Sequence, residues 1–414
     1  MQLAARSYVR AAAALTAGTL LAVTPTTSSV PSLQVLPVQL TSADDLLALP
    51  SGALTLADSL PTLQAEELSS DAAVIADELA SNGGVVAGEE SFESGLASAF
   101  PGLFGGLTPV GPVADIVGPI TVGGGLGQVF DRLFDVTNLP LSTSENLFNT
   151  LIGADNFDPA AINASLLIDL GPSPVAPPIP VDGGGVAEPS ALIGDIGAPF
   201  VSGQIGGLEG ITGNSLALDY ATINFLNTEL GLSLPNFVFQ DVVTLGDDFI
   251  TFNNALVADE LTFNTQLLDG ELAAEAAAFG GNQEALNGSV DRMINVDNLF
   301  LSTEENSFNS LIGAEFSPAE ITQSLLTGTP TDVFDTGDLG GLQGIFVDQN
   351  LALVTDLAGL TSGDITSAFA PGAFDATAFT AAISDLFDAS AFSNLTPEFA
   401  TLSTDLGTIF TSIF

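Results

Sequence analysis

Residues 131–167 read DRLFDVTNLPLSTSENLFNTLIGADNFDPAAINASLL, and residues 291–326 read DRMINVDNLFLSTEENSFNSLIGAEFSPAEITQSLL. With one residue omitted near Asp155, 23 of the 36 aligned positions are identical. Composition alone does not produce a match of this length. The chain therefore carries one segment twice, which is typical of proteins built from repeated structural units.

A second, shorter match follows each copy. Residues 206–211 read GGLEGI and residues 340–345 read GGLQGI, and a Leu-Ala-Leu follows both. The conserved order predicts two repeat units, over residues 126–235 and 286–360. The first unit also contains a Pro/Gly-rich insert at residues 171–200, which we interpret as a solvated loop.

Each copy contains the Ser-x-x-Glu pattern of a helix capping box, Ser142 with Glu145 and Ser302 with Glu305. In this motif the Ser oxygen accepts from an amide of the first turn, and the carboxylate accepts from the amide of the Ser. The pattern predicts that a helix begins at each Ser. Apolar residues then recur at helical spacing and predict a buried face, formed by Phe148, Leu151, Ile152, Phe308, Leu311 and Ile312.

A turn and a second helix start follow in both copies. Gly153 and Gly313 suit helix ends. Asp158 and Ser317 are each followed by Pro, which gives an N-cap side chain and then a residue whose missing N–H is harmless. Each unit is therefore predicted to be a helix-turn-helix.

The longest helical signal covers residues 247–279, within a separate segment assigned to residues 236–281. It contains an 11-residue echo, FNNALVADELT at residues 252–262 and FNTQLLDGELA at residues 263–273. Eleven residues make about three helical turns, so this pattern predicts one long amphipathic helix. The glycine pair at 280–281 is expected to end it.

The flanking regions, residues 41–125 and 361–414, contain shorter segments with helical spacing, at Thr41–Leu49, Thr62–Leu79, Ala376–Phe387 and from Thr396-Pro397 onward. Residues 116–129 and the two GGL segments are the best candidates for short strands or turns. The predicted fold class is mainly α: two duplicated helix-turn-helix units plus a long amphipathic helix, with Gly/Pro-rich loops.

Residues 1–30 have the pattern of a secretory signal. Arg6 and Arg10 precede the mostly apolar stretch Ala11–Val23, and small polar residues follow. We expect export with cleavage, with an uncleaved N-terminal anchor as the alternative. No later stretch has the length and apolarity of a membrane helix, so no transmembrane span is expected in the mature chain.

The composition excludes many classes of activity. The 414 residues include 50 Asp or Glu but only four Lys or Arg, all Arg, and no His, Cys or Lys. Ser-His-Asp triads, Cys nucleophiles, ordinary zinc sites, disulfides and Lys Schiff bases are therefore impossible. A net charge of −46 also argues against nucleic acid as a partner.

Two carboxylate chemistries survive this filter. Residues 333–337, VFDTG, resemble the signature of aspartic proteases, but no second Asp-Thr/Ser-Gly occurs, so only a homodimer could pair Asp335 with a second Asp. The adjacent acidic residues lack the alternating spacing of a calcium loop, and Val129 replaces the ligand Asp of the GGxGxD-like segment at 124–129. We assign no catalytic, cofactor-binding or metal-binding residue, and expect no cofactor.

The remaining two cations, Arg132 and Arg292, occupy the same place in both copies, and each follows an Asp. A structural ion pair or carbonyl cap within the unit is the favoured interpretation. A ligand carboxylate is the alternative.

The N-terminus, MQLAARSYVRAAAALTAGTLLAVTP followed by LQVLPVQLTSADDLL, resembles the leader of a group of exported mycobacterial proteins that have no assigned activity. These proteins are acidic, rich in Ala, Gly, Phe and Asn, and loosely similar in composition to the PE-PGRS family. This chain lacks the N-terminal Pro-Glu domain and the Gly-Gly-Ala arrays of that family. The resemblance implies a location, secreted or at the cell envelope or surface, and no site residues.

The favoured function is a non-enzymatic structural or interaction protein of the cell envelope or surface, whose partner is an envelope component, a host protein or a lipid. One alternative is a carrier of lipid or another apolar ligand, enclosed by Leu- and Phe-lined helices. A second alternative is a hydrolase that uses carboxylates alone.

Overall fold

The computed structural model describes residues 60–99, 126–154, 157–168, 206–229, 232, 239–279, 284–327, 340–360, 374–385 and 394–413. Within these ranges the protein is almost entirely helical and contains no β-strand. The mainly α class predicted from the sequence is confirmed.

The helices fall into two similar series and a C-terminal pair. The first series is α1 (Leu60–Ala99), α2 (Leu126–Ile152), α3 (Pro159–Leu166) and α4 (Gly207–Glu229). The second series is α5 (Phe239–Phe279), α6 (Glu284–Ile312), α7 (Pro318–Ser324), α8 (Gly341–Gln343), a π-helical turn (Gly344–Gln349) and α9 (Asn350–Gly359). The C-terminal pair is α10 (Ala376–Asp385) and α11 (Leu395–Ile413).

The strand candidates are not strands where the structure describes them. Both GGL segments begin helices, α4 at Gly207 and α8 at Gly341. Residues 126–129 belong to α2, and residues 116–125 lie outside the described ranges. The glycines of the GGL segments therefore open helices rather than forming extended chain.

The capping-box prediction is wrong in both copies, because α2 and α6 begin well before Ser142 and Ser302 and continue through them. Ser142 Oγ donates to the carbonyl of Leu139, 3.0 Å away, as a residue inside a helix does. Glu145 accepts from Asn82 of another helix instead of closing a cap. The Ser-x-x-Glu spacing thus reflects one face of a long helix.

The other local signals are confirmed. Gly153 and Gly313 end α2 and α6, both with φ of 97°. Asp158 Oδ1 accepts from the amides of Ala160 and Ala161 at the start of α3, and Ser317 Oγ accepts from the amide of Glu320 at the start of α7. Because these motifs need only neighbouring residues, the sequence predicts them well.

The predicted long helix is confirmed as α5, which ends at Phe279, before the glycine pair at 280–281. Its sequence ADELTFN at residues 258–264 matches ADELASN at residues 76–82 of α1. Although the sequence analysis placed residues 236–281 between the two units, α5 contacts α6 through the same residues that α1 uses toward α2. Both series therefore have the same order. A long helix (α1 or α5) is followed by a crossing helix (α2 or α6) and a short helix (α3 or α7). The closing helix comes last, α4 in the first series and α8, the π-helical turn and α9 in the second.

The closing helices differ by one residue. Between Ile211 and Leu216 of α4 lie four residues, whereas five residues separate Ile345 from Leu351. The extra residue is accommodated in the π-helical turn Gly344–Gln349, since a π-helical turn takes up one residue more than an α-helical turn.

Matching apolar clusters form where each crossing helix turns into the short helix. Ala154, Phe157 and Ile162 pack with Ile75 and Ile152. The second cluster has Ala314, Phe316, Ile321 and Ile312 at the equivalent positions, with Val257 in place of Ile75 and Leu261 in addition. Buried Leu139 and Leu299 mark the same place in α2 and α6.

The predicted burial of Phe148, Leu151 and Phe308 is wrong. Phe148 is 49% exposed and Phe308 is 36% exposed, so the two residues share an environment, but it is the surface. The face that α2 buries is mostly polar and includes Asn138, Ser142, Asn146 and Asn149. The apolar periodicity therefore predicted the helix correctly, but the face that it predicted to be buried is the outer face.

The flanking predictions are confirmed where described: Thr62–Leu79 lies in α1, Ala376–Phe387 overlaps α10, and Thr396-Pro397 lies in the first turn of α11. Residues 41–49 lie outside the described ranges. Helices α10 and α11 both pack against α5. None of the helices in the described ranges combines the length and apolarity that crossing a membrane requires.

Candidate functional site

Helices α1 and α2 are joined across their contact by three hydrogen bonds between an Asn amide and a Glu carboxyl. The donor–acceptor pairs are Asn149 to Glu78, Asn82 to Glu145 and Asn138 to Glu89, each 2.8 Å long. The three residues that α1 contributes, Glu78, Asn82 and Glu89, follow each other at intervals of four and seven positions, which places them on one helix face. We call these three pairs the first ladder.

Helices α5 and α6 are joined by an equivalent second ladder. Its pairs are Asn309 to Glu260 at 2.7 Å, Asn264 to Glu305 at 2.8 Å and Asn298 to Glu271 at 2.8 Å. Residue types, donor directions and order along the helices are the same as in the first ladder. The two sequence copies therefore place the same chemistry in the same buried position.

Each ladder ends in a pair of carboxyl groups, Glu93 with Asp131 and Glu275 with Asp291. The two groups of each pair lie close enough to change each other's pKa, and a hydrogen bond between them would require one to be protonated. Burial is the main cause that raises the pKa of Asp131 to about 9, and the nearby Glu93 raises it further. Burial also raises the pKa of Glu275 to about 7, with Asp291 adding to the effect. Burial and the neighbouring carboxyl therefore favour the protonated form of Asp131 and of Glu275.

The ladder asparagines also hold the short helices α3 and α7. Each Asn of a ladder's middle pair donates to a Ser, and a second Asn donates to a carbonyl at the helix end. The bonds are Asn82 to Ser165 (2.9 Å), Asn264 to Ser324 (3.0 Å), Asn138 to the Leu166 carbonyl (3.0 Å) and Asn298 to the Leu325 carbonyl (2.9 Å). Three helices in each series are thus tied by one polar network.

Burial raises the pKa of five ladder carboxyls above their ordinary values, those of Glu78, Glu89, Glu145, Glu260 and Glu305. The pKa of Glu260 is raised to about 8, while its hydrogen bond from Asn309 acts in the opposite direction. The pKa of Glu305 is raised well above 4.5, first by burial and then by the charge of Glu260. Burial in the network therefore favours the protonated form of these carboxyls.

The closing helix of each series contacts the long helix of the other. Asn253 of α5 donates to Glu209 of α4 over 2.7 Å, and Gln343 of α8 donates to Asp71 of α1 over 3.2 Å. Positions 209 and 343 occupy the same place in the two GGL segments. Each series therefore packs its closing helix against the long helix of the other series.

These reciprocal contacts between the two series also bring their glycines together. The amide of Gly206 donates to the carbonyl of Gly313, and that of Gly340 donates to the carbonyl of Gly153, both over 3.3 Å. A Cβ atom on Gly153 would collide with the carbonyl of Gly340, and one on Gly313 with that of Gly206. Only glycine permits this approach, and the positive φ imposes the same requirement.

Arg132 and Arg292 make structural contacts, as the favoured interpretation of the sequence predicts. Arg132 is buried, lies 3.8 Å from Asp135 and donates to Asn214 over 2.9 Å. Arg292 lies 3.7 Å from Asp356 and donates to Gln349 over 3.3 Å. The Arg132–Asp135 pair lies within α2, whose link to α4 is the hydrogen bond to Asn214, whereas the Arg292–Asp356 pair joins α6 to α9. Both contacts confirm the structural interpretation.

The sequence predicts no catalytic, cofactor-binding or metal-binding residue, and Asp335 lies outside the described ranges. Among the residues that the structure describes, no group of three or more acidic side chains is arranged to hold a metal ion. What sequence reasoning missed is the role of the Asn and Glu residues shared by both copies. Their identity at matched positions was the available signal.

The chain matches no protein-family model, no curated protein and no solved structure.

Proposed function

We propose that the chain is an exported, non-enzymatic structural or interaction protein of the cell envelope or cell surface. The observation that carries this proposal is a row of exposed apolar side chains on the outer face of both α2 and α6. We call these the outer rows.

The outer rows contain large side chains at helical spacing, Leu133, Leu141, Phe148 and Leu151 on α2 and Met293, Phe300 and Phe308 on α6. Leu133 and Met293 occupy the same position in the two copies, as do Phe148 and Phe308. Because equivalent positions are exposed in both copies, the exposure does not result from a local irregularity of packing. Exposed apolar rows of this kind are typical of surfaces that bind a partner.

The energetics favour a bound state for such a surface. Burying one large apolar side chain contributes about 1.5–3 kcal/mol, and each row offers several. The chain also has an acidic surface without Lys or His, so apolar contacts supply the attraction that cationic side chains provide elsewhere. A partner with its own apolar patch fits both features.

The ladders support a structural rather than a catalytic role. Their carboxyl groups are engaged by an Asn amide or by a second carboxyl inside the helix contacts. A carboxyl that is committed to the fold in this way is not presented to a substrate. These pairs instead determine how the helices pack, because leaving one partner out would strand a buried polar group.

Export is proposed from the signal-like residues 1–30, which lie outside the described ranges. The absence of Cys means that stability after export rests on packing and hydrogen bonds, and the ladders supply such interactions.

The test is a fractionation of the native host expressing tagged wild-type chain or the double variant Phe148→Ser/Phe308→Ser. Thr137→Ser/Asp297→Asn is the matched control, since it changes two polar residues at equivalent positions of the same helices. We expect wild type and control to remain with the envelope and to be labelled on intact cells, and the Phe variant to be released into the medium. Equal distribution of all three would contradict the proposal.

A carrier of an apolar ligand is the second candidate, because the same outer rows would also contact an acyl chain. Mass spectrometry of the protein purified from the host separates the two functions. Lipid that co-purifies with wild type at a fixed stoichiometry, and is lost from Phe148→Ser/Phe308→Ser, would favour the carrier.

A further inference from the structure

One face of α1 is exposed although its counterpart in α5 is buried. Asp259, Gly270, Ala274 and Ala277 of α5 are buried. The residues at the same positions of α1 are exposed: Asp77, Gly88, Phe92 and Gly95. Phe92 is 55% exposed. We call these four residues of α1, together with exposed Gly84, the open face.

The α5 face is buried because the C-terminal helices cover it. Asp259 accepts from the amides of Asn394 and Leu395, 3.1 and 2.8 Å away, and from the side chain of Asn394 at 2.7 Å. The carboxylate thus satisfies amides at the start of α11. We call residues 374–385 and 394–413 the cover segment.

Further contacts continue along α5. The amide of Asp375 donates to the carbonyl of Ala277 over 2.7 Å, and Phe399 lies against Phe252 with ring centroids 6.2 Å apart. Ala382 and Leu402 of the cover segment are buried. The occupant of this face is therefore a pair of short helices with Ala, Leu and Phe toward α5.

The open face retains the features that receive the cover segment. Asp77 is the same residue at the same position as Asp259, and Gly88 matches Gly270. A Cβ atom on Gly84, Gly88 or Gly95 would meet no other atom within 4 Å, so the face has space for close approach of another helix.

We propose that the open face of α1 is a docking site for an amphipathic helix of a separate protein, whose first backbone amides bind Asp77 and whose small and apolar side chains pack along Gly84, Gly88, Phe92 and Gly95. This surface is distinct from the outer rows of α2 and α6.

The use of the cover segment within its own chain and the negative charge of α1 both favour a separate protein over a second copy as the partner. Each chain has one cover segment, and it already buries α5, so donating it to another copy would expose α5. Pairing two open faces would bring Asp77 and other acids of α1 together, and α1 contains no Lys or Arg. A helix of a separate protein that places no acid against Asp77 meets neither obstacle.

The test uses a labelled synthetic peptide of residues 394–413 as the probe, because this sequence already occupies the equivalent face. Fluorescence anisotropy with the full-length chain is expected to show saturable 1:1 binding. Asp77→Ala and Gly88→Gln should each weaken it by at least tenfold. Gly83→Gln is the matched control, since Gly83 is equally exposed on α1 but corresponds to Thr265, which the cover segment leaves exposed.

Three outcomes would overturn the proposal. The first is no saturable binding by a wild-type chain that circular dichroism shows to be folded. The second is binding that is lost in Asp259→Ala and retained in Asp77→Ala, because the peptide would then be replacing the cover segment. The third is a concentration-dependent dimer in sedimentation velocity that Gly88→Gln abolishes, which would assign the face to a second copy.

Discussion

Thr150 and Ser310 occupy the same position in the two sequence copies, and their hydroxyl oxygens lie 3.4 Å apart at the contact between α2 and α6. A residue that meets its own counterpart marks the place where two equivalent units face each other. The reciprocal pairs Gly206–Gly313 and Gly340–Gly153 flank this point. The two series of helices are therefore arranged around Thr150 and Ser310 with approximate two-fold equivalence.

Replacing Gly153 or Gly313 with Ala should destabilise the fold by about 3 kcal/mol each, from a strained positive φ and a collision with a carbonyl group. The control Gly88→Ala lies in open space on a helix and should stabilise the chain by up to about 1 kcal/mol. Urea unfolding at neutral pH measures both. A loss below about 0.5 kcal/mol for both glycine variants would show that the junction is not tight.

The free energy of unfolding should be greatest in mild acid. Burial raises the pKa of Glu260 and of Glu209 to about 8 from the ordinary 4.5, so the folded chain holds protons that the unfolded chain releases. This stabilisation is complete below about pH 4.5 and is lost as the pH rises through 8. Thermal unfolding between pH 5 and 8.5 should show a falling Tm.

The variant Glu260→Gln isolates one contribution to that pH dependence. A neutral amide can still accept from Asn309 and carries no charge, so unfolding at pH 8 should require on the order of 3 kcal/mol more free energy than in wild type, since one pKa unit is worth about 1.4 kcal/mol. At pH 4.5 the two proteins should differ little. Asp269→Asn, at an exposed position of α5, serves as the charge control. Destabilisation by Glu260→Gln at pH 8 would refute the assignment.

Removing the amide partner should have the opposite effect. Asn309→Ala leaves the buried carboxyl of Glu260 without its donor and should destabilise the chain by about 2 kcal/mol. Asn149→Ala should act similarly through Glu78, whereas Asn254→Ala, at an exposed site, should change stability by less than about 0.5 kcal/mol. Chemical denaturation of the three variants measures these effects. Equal stability of all three would contradict a structural role for the ladders.

The two arginines should differ in their contribution. Arg132→Gln removes the cation beside fully buried Asp135 and should cost about 3 kcal/mol. Arg292→Gln should cost about 1 kcal/mol, because the side chain of its partner Asp356 is 38% exposed and water screens that pair. Urea midpoints compared at pH 7 would show the difference, and a larger loss for Arg292→Gln would contradict it.

Local chemistry made the helix ends predictable. Gly153, Asp158 and Ser317 act through their immediate neighbours, so the sequence analysis located the turns and the starts of α3 and α7 correctly. The long α5 was also predictable, because apolar side chains recur along it at regular spacing.

Tertiary context determined what the sequence did not reveal. Ser142 and Glu145 have the spacing of a helix cap in the sequence. In the fold, however, Asn82 of α1 donates a hydrogen bond to Glu145 inside the contact between α1 and α2. Phe148 was assigned to the core because apolar side chains are usually inside, whereas here the Asn and Glu residues occupy that place. Matched pairs such as Asn149 with Glu78 span distant segments, and a single sequence gives no direct sign of such pairing.

The natural chain contains no Cys, so an engineered cysteine pair can test the two-fold arrangement around Thr150 and Ser310. In Thr150→Cys/Ser310→Cys the two sulfur atoms should be close enough to form an intramolecular disulfide under mild oxidation of the folded monomer. Nonreducing electrophoresis and intact mass should show this bond in the double variant, and not when oxidation is carried out in denaturant. A folded double variant that remains fully reduced, or that forms only intermolecular bonds, would contradict the claim.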